Sequence, residues 1–180
     1  MSGVTTDNVN RASGLVKAAG GGGKVLQAVT AINTETQSIS GSVGSHVAID
    51  DLSCAITPAT ANSKILIMIS IGGLGSSGTN SGTFIVMRDD TEIGVADDAG
   101  SRVPGSFHAA ATCSGGCHYV AHGFSVLDSP SSTSEITYTL TLNHQNGVTG
   151  YINRSGSDGD GTSGYQGRSA STMTAIEIGA

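Results

Sequence analysis

The sequence predicts an all-β protein, a jelly-roll-like antiparallel β-sandwich of about eight to ten strands preceded by an extended N-terminal arm. Three observations predict it. First, residues 64–71 read Lys-Ile-Leu-Ile-Met-Ile-Ser-Ile, the one long apolar run in the chain, with Thr57-Pro58 and Ala61-Asn62-Ser63 before it and Gly72-Gly73 after it. A run of that length between turn signals reads as a strand buried on both faces, near the centre of the fold. Second, most other candidate strands alternate apolar and polar residues, as half-buried strands packed around a buried one do. Third, the 180 residues include 27 glycines and no tryptophan, and only 12% of them are charged. A helical bundle needs Glu, Lys and Arg on its surface, whereas short strands with tight turns and hydroxyl-covered solvent faces do not. The length suits one core rather than two.

Taken in order, residues 1–23 differ from the rest of the chain: they are polar, poor in large side chains, and end in Gly20-Gly21-Gly22-Gly23, a flexible joint. Asp7 or Asn8 can cap a short helical stretch there, with Val9, Ala12, Leu15, Val16 and Ala19 on one face, although Ser13-Gly14 weakens it. Two readings stand for this segment: a tail without fixed structure, and an arm that orders on docking to another protein. Residues 24–180 form the β-sandwich domain. It opens with a strand over 25–32. Residues 36–40 pair weakly, and 46–57 carry Val47, Ile49, Cys54 and Ile56 with Asp50-Asp51 as a break or bulge.

After the central strand, residues 72–82 read as a Gly- and Ser-rich loop. Residues 83–88 and 92–96 flank Asp89-Asp90-Thr91 as a hairpin with a short acidic turn, closed by a second turn at 97–101. Residues 106–113 and 118–127 read as another hairpin around Ser114-Gly115-Gly116, and Pro130 ends any strand beyond it. The cleanest alternation is at 136–143, where Ile136, Tyr138, Leu140 and Leu142 point one way and Thr137, Thr139 and Thr141 form a solvent face. Residues 150–153 read as a short strand, and 154–167 are too polar and glycine-rich for a core, hence a surface loop. The closing strand, 171–178, puts Thr174, Ile176 and Ile178 on one face and Met173, Ala175 and Glu177 on the other. Terminal strands of such sandwiches lie side by side, so 25–32 is expected to pair with 171–178.

A formal net charge of −6 supplies no basic field for nucleic acid or an anionic membrane, and neither is expected as a partner. No stretch approaches the length of a membrane span, and the apolar core of a signal peptide is missing, so assembly in a cytoplasm is expected. The glycine run before Lys24 lacks the phosphate-loop spacing, and Val25 stands where Ser or Thr would. The densest metal-type cluster is Cys113-Ser-Gly-Gly-Cys117-His118, with His122 after it and His108 before it. Its spacing falls within zinc-ligand range, but adjacent Cys117 and His118 point to opposite faces of a strand. A Cys113–Cys117 disulfide and two free thiols are the other readings.

Asp158-Gly159-Asp160-Gly161 is similar to a calcium loop but has Thr162, Ser163 and Tyr165 where further ligands belong, and reads as a solvated turn. Asn153-Arg154-Ser155 fits the glycosylation pattern. No Gly-x-Ser-x-Gly elbow occurs. Tyr119, Tyr138, Tyr151 and Tyr165 with the Asp pairs offer a weak sugar-groove signal, and Asp89, Asp90, Asp97 and Asp98 are the only dense acidic group. No catalytic, cofactor-binding or metal-binding residue is assigned, and the chain is not expected to be an enzyme.

Several segments carry a family resemblance: Lys24-Val25-Leu26-Gln27, Ile56-Thr57-Pro58, Ser63-Lys64-Ile65-Leu66-Ile67 and Arg88-Asp89-Asp90-Thr91-Glu92-Ile93-Gly94. Phe124-Ser125-Val126-Leu127-Asp128-Ser129-Pro130, Tyr138, Tyr151-Ile152-Asn153-Arg154-Ser155 and 171–178 continue it. Together they resemble small virion proteins of tailed bacteriophages, over about residues 24–178. The resemblance implies a non-enzymatic β-sandwich module, a homotrimeric tail fibre, head fibre or capsid-decoration protein, located in the virion. Residues 1–23 would then attach it to capsid or tail proteins, and surfaces such as 109–112 would pack near a three-fold axis. The alternative is a carbohydrate- or receptor-binding module that meets a host surface glycan during adsorption through the loops at 72–82 and 154–167.

Overall fold

The computed structural model describes residues 23–42, 44–77, 80–111, 120–144, 148–162 and 166–179. The predicted arm at 1–22 and the cysteine-bearing tip at 112–119 lie outside the described residues. Eleven strands succeed one another: β1 (Lys24–Asn33), β2 (Gln37–Ser40), β3 (Val47–Ile56), β4 (Lys64–Ser76), β5 (Asn80–Arg88), β6 (Thr91–Ile93), β7 (Phe107–Ala111), β8 (Val120–Asp128), β9 (Ile136–His144), β10 (Thr149–Ile152) and β11 (Ser171–Gly179).

They form two antiparallel sheets. In the first, β1, β11, β4 and β8 are successive neighbours, and β10 and β2 extend it past the far end of β4. In the second, β3, β9 and β5 are neighbours, and β7 and β6 share the remaining edge of β5. Leaving aside the short β2, β6 and β10, the eight principal strands taken in chain order run 1-8-3-6 in one sheet and 2-7-4-5 in the other. That interleaving is the jelly roll, in which successive strands keep crossing between sheets. The expected pairing of the first and last strands is present, in register from Gln27↔Glu177 to Asn33↔Ser171.

The core lies between the sheets. Ile65, Ile67, Ile69 and Ile71 of β4 face Ile49, Leu52, Cys54 and Ile56 of β3 and Tyr138, Leu140 and Leu142 of β9 within one buried cluster. All three phenylalanines of the chain join it: Phe84 and Phe107 of the second sheet stack at 4.6 Å, and Phe107 stacks on Phe124 of the first at 5.2 Å. One aromatic column therefore ties the sheets together.

Several expectations are corrected. Residues 64–71 are not buried on both faces: Met68 is 48% exposed and Ser70 is exposed, while their neighbours Ile67 and Ile69 are buried. Residues 72–82 are not a loop, because β4 runs on to Ser76 and β5 begins at Asn80. The glycines there serve close approach: a Cβ on Gly72 would lie 2.2 Å from the Ala170 carbonyl, and one on Gly75 2.4 Å from that of Arg154. The segments 106–113 and 118–127 do not form a hairpin, since β7 pairs with β5 and β8 with β4 in opposite sheets. Ala109 is 1% exposed in the core, which removes it from any subunit contact. The threonine face of 136–143 is only partly wet, Thr141 being 6% exposed.

Other expectations stand. The acidic hairpin turns at Asp89-Asp90, with Arg88↔Thr91 as its last pair and Asp89 at φ 49°, although its second strand is Thr91–Ile93 rather than 92–96. Asp50-Asp51 is a bulge: the β3 register shifts between Ala48 and Ser53, and Asp51 sits at φ 56°. Backbone groups that the bulge frees are taken up by side chains. Gln37 donates to the Ala48 carbonyl and accepts from Asp50 N, both at 3.0 Å, while Asn33 donates to the Asp50 carbonyl at 2.6 Å.

Candidate functional site

Three polar clusters sit inside the sandwich, and each joins elements that the ladder hydrogen bonds do not. Arg88 Nη1 donates to both Asp128 oxygens, at 2.9 and 3.0 Å, and the Tyr138 hydroxyl donates to Asp128 Oδ2 at 2.7 Å. Asp128 belongs to the first sheet and its two donors to the second, so the cluster is a clamp across the sandwich. Burial, with the adjoining Asp128 carboxylate, pushes the Tyr138 phenol far above its usual range. It stays a neutral donor, and at 0% exposed it lines no groove, which corrects the sugar-groove reading for this tyrosine.

Glu177 is the second. Burial alone would raise its pKa, but hydrogen bonds from Ser63, Gln27 and the Ala59 amide outweigh that, so the pKa lies below the usual glutamate value. Gln27 Nε2 donates to Glu177 Oε2 and to the Thr57 carbonyl, each at 2.7 Å, and Ala59 N donates to Oε1 at 2.7 Å. This carboxylate pins the β3–β4 crossover to the first sheet. The third hub, Asn153, is 0% exposed in the left-handed region at φ 61°. Its Nδ2 donates to the Asn33 and Glu35 carbonyls at 3.0 and 2.9 Å, and its Oδ1 accepts from Ser171 Oγ at 2.7 Å. With the amide so engaged and enclosed, Asn153 is no glycan acceptor.

The remaining motif residues separate. His108 follows the core-packed Phe107 on β7 and faces outward, bonded through Nδ1 to Thr83 Oγ1 at 3.1 Å. His122 pairs with buried Ile71 on β8 in the other sheet; burial lowers its pKa, and its Nε2 is buried without a hydrogen-bond partner. The two histidines therefore do not converge. Asp158 is held by Arg168 at 2.6 Å and Arg154 at 3.8 Å, so guanidinium groups stand where a cation would need its carboxylate. Asp89 ties its turn to β9, accepting from Thr137 N at 2.9 Å. Tyr151 lies beneath the Arg154 guanidinium, 3.8 Å from the ring centroid. An open hollow of about 500 Å³ lies between β5, β7 and the β6–β7 connection, lined by Thr83, Asp97, Arg102, Pro104 and His108 among others.

A surface feature escaped the sequence reading. Register across the first sheet places three rows of residues on its outer face: Ile32–Thr172–Ser70–Gly123, Thr30–Thr174–Met68–Ser125 and Ala28–Ile176–Leu66–Leu127. None of these positions is charged, and Thr30 and Thr174 share a hydrogen bond at 3.1 Å. All six large hydrophobic side chains that are exposed among the described residues (Val25, Leu26, Ile32, Met68, Val120 and Leu127) belong to β1, β4 and β8 of this sheet. A shallow hollow of about 190 Å³ lies at Met68, Ser70, Thr172 and Thr174. The signal was available in the alternation of 171–178 and in Met68, but it needed the pairing of strands far apart in sequence.

No protein-family model matches the chain. No curated protein matches it either. Among solved structures, the chain is similar to one in the structure of infectious bursal disease virus Gx strain, with 11% identity and a TM-score of 0.31 over 87% of this chain. It spans about two fifths, 41%, of that chain, and at this level the likeness carries no argument.

Proposed function

We propose that the chain is a non-enzymatic structural protein of a tailed-bacteriophage virion: a homotrimeric fibre or capsid-decoration module, attached to capsid or tail proteins through residues 1–23. The observation that carries the reading is the interleaved eight-strand jelly roll, an architecture that recurs in viral shells and in lectins. Its interior supports a mechanical role. Glu177, Asn153 and the Arg88–Asp128–Tyr138 cluster each bind a neighbouring strand or crossover rather than open onto a cleft. The resemblance of residues 24–178 to small virion proteins points the same way. The test is incorporation: purified particles carry the full chain, and deleting residues 1–23 abolishes its incorporation. Full occupancy of particles by the truncated chain would overturn the anchoring role.

A second reading, a carbohydrate- or receptor-binding module for host adsorption, gains support from the hollow beside Asp97, Arg102 and His108, which joins charged donors and acceptors to apolar walls. The segment 72–82 no longer serves it, being largely strand. A glycan-array screen of the purified protein in which nothing binds would count against this reading.

A further inference from the structure

We infer that the outer face of the first sheet, centred on Met68 and Thr174, is the surface through which copies of this chain pack on one another. The inference rests on the homotrimer reading above and deepens it by naming the contact.

Three properties of the face commit it to a second copy. The first is charge. The chain carries a formal −6, so identical copies repel, and they approach most readily where neither presents charge. The rows through Ile32, Met68 and Leu66 supply such a region, four strands wide. An acidic or basic partner would find no complement there.

The second is shape. Met68 stands 48% exposed at the edge of the hollow that it lines with Ser70, Thr172 and Thr174, so a projecting thioether and a recess occur on one face. Met68 of one copy set into the recess of the next is a head-to-tail contact, the kind that closes into a ring of three, and Met adapts readily to an irregular recess. The threonines fit the same use, because neighbouring hydroxyls such as Thr30 and Thr174 hydrogen-bond to each other and need no water when covered.

The third is size. Four strands about 4.8 Å apart and three rows about 6.8 Å apart span roughly 400 Å² in plane. Counted on two copies with its side-chain relief, that comes to about 1,000 Å², the level at which a contact between proteins becomes specific. Val25, 59% exposed and paired with Ile178 at the start of β1, enlarges it. Ala109, within the 109–112 segment that the resemblance placed near a three-fold axis, is buried in its own core and offers no competing surface.

The test uses the full chain in solution. Sedimentation is expected to give an oligomer for the native protein and a monomer for Met68→Lys, with the far-ultraviolet spectrum and unfolding transition of the single chain retained. Thr174→Lys is expected to do the same, while Ala55→Lys, on the exposed outer side of β3, leaves the oligomer intact. An oligomer that survives both Met68→Lys and Thr174→Lys overturns the inference and leaves the homotrimer reading standing. A native chain that sediments as a monomer overturns both, whereas the virion role is read separately from incorporation into particles. Replacing Met68 by its photo-crosslinking diazirine analogue identifies the occupant. A crosslink to the first sheet of another copy is the expected product; a crosslink to residues 1–22 or to a different protein sinks the proposal.

Discussion

The two sheets treat their outer faces differently. On the second, Thr83, Ile85, Thr141 and Asn143 point away from the core, yet none is more than 8% exposed. The chain itself covers two of them: Gly105 lies against Thr83, the 102–104 stretch lines the hollow beside it, and Gly44 N donates to Asn143 Oδ1 at 3.3 Å. On the first sheet, among the described residues, Met68 and Ile32 in the corresponding rows stand 48% and 57% exposed. A jelly roll thus has two outer faces and only some of its connections long enough to fold back, and here the described stretch 102–105 and Gly44 lie on the second. The contrast separates apolar residues that the fold needs from apolar residues it merely carries.

The sharpest way to break that contrast is to place the same polar group on two adjacent residues of β4. Ile67→Asn buries an unpaired amide in the core and is expected to cost about 3–5 kcal/mol, read as a shift of the urea midpoint. Met68→Asn, one residue on and facing outward, is expected to change single-chain stability by less than about 0.5 kcal/mol. Equal effects at the two positions would mean that β4 is covered on both sides within one chain.

Next comes a comparison between outer faces. Ile85→Ala, 1% exposed on the second sheet, is expected to cost about 2–4 kcal/mol. Ile32→Ala, 57% exposed on the first sheet, should cost less than about 1 kcal/mol when measured at concentrations low enough to hold the chain monomeric.

Glu177→Gln tests the crossover pin, with an expected loss of about 1–3 kcal/mol at neutral pH as charge-assisted hydrogen bonds weaken. Because the folded-state pKa lies below the unfolded one, the carboxylate contributes its full stabilisation above the unfolded value of about 4.3. That contribution is lost as pH falls through the folded value. Stability curves from pH 7 to 3 should therefore fall less steeply for Glu177→Gln than for the native chain. The smallest effect belongs to Asp158→Asn. Its ion pairs are solvent-exposed at Asp158 and Arg168, and thermal unfolding should register no more than about 0.5 kcal/mol.

Much of this fold was legible because alternation reports which side of a strand is wet. The strand at 136–143, the closing strand and its pairing with the first were all readable, since each depends on local pattern or on the adjacency of terminal strands. What failed needed information from across the fold. Gly72 and Gly75 look like loop residues in sequence, and only the crossing of the Ala170 and Arg154 backbones explains them as strand. Two strands joined by a glycine-rich tip look like a hairpin whether they pair or part to opposite sheets, as β7 and β8 do. The apolar outer residues of β4 look buried because hydropathy records that a side chain is to be covered without saying by which molecule. Asn153 reads in sequence as the end of a short strand and the start of a glycosylation pattern, since its partners Asn33, Glu35 and Ser171 come from positions scattered along the chain.

The pairing of β1 with β11 also has a mechanical meaning. Gly23 N donates to the Gly179 carbonyl at 3.0 Å, so the chain enters and leaves the sandwich side by side at one end of an antiparallel pair. A force drawing residues 23 and 179 apart would load those ladder bonds one at a time and peel the edge strand away, as a zipper opens. A tether on residue 23 alone, with the load returned through the broad face of the first sheet, would spread the same force over many bonds at once. A module anchored at one end and gripped across its sheet is therefore far harder to pull open than one strung between its two ends.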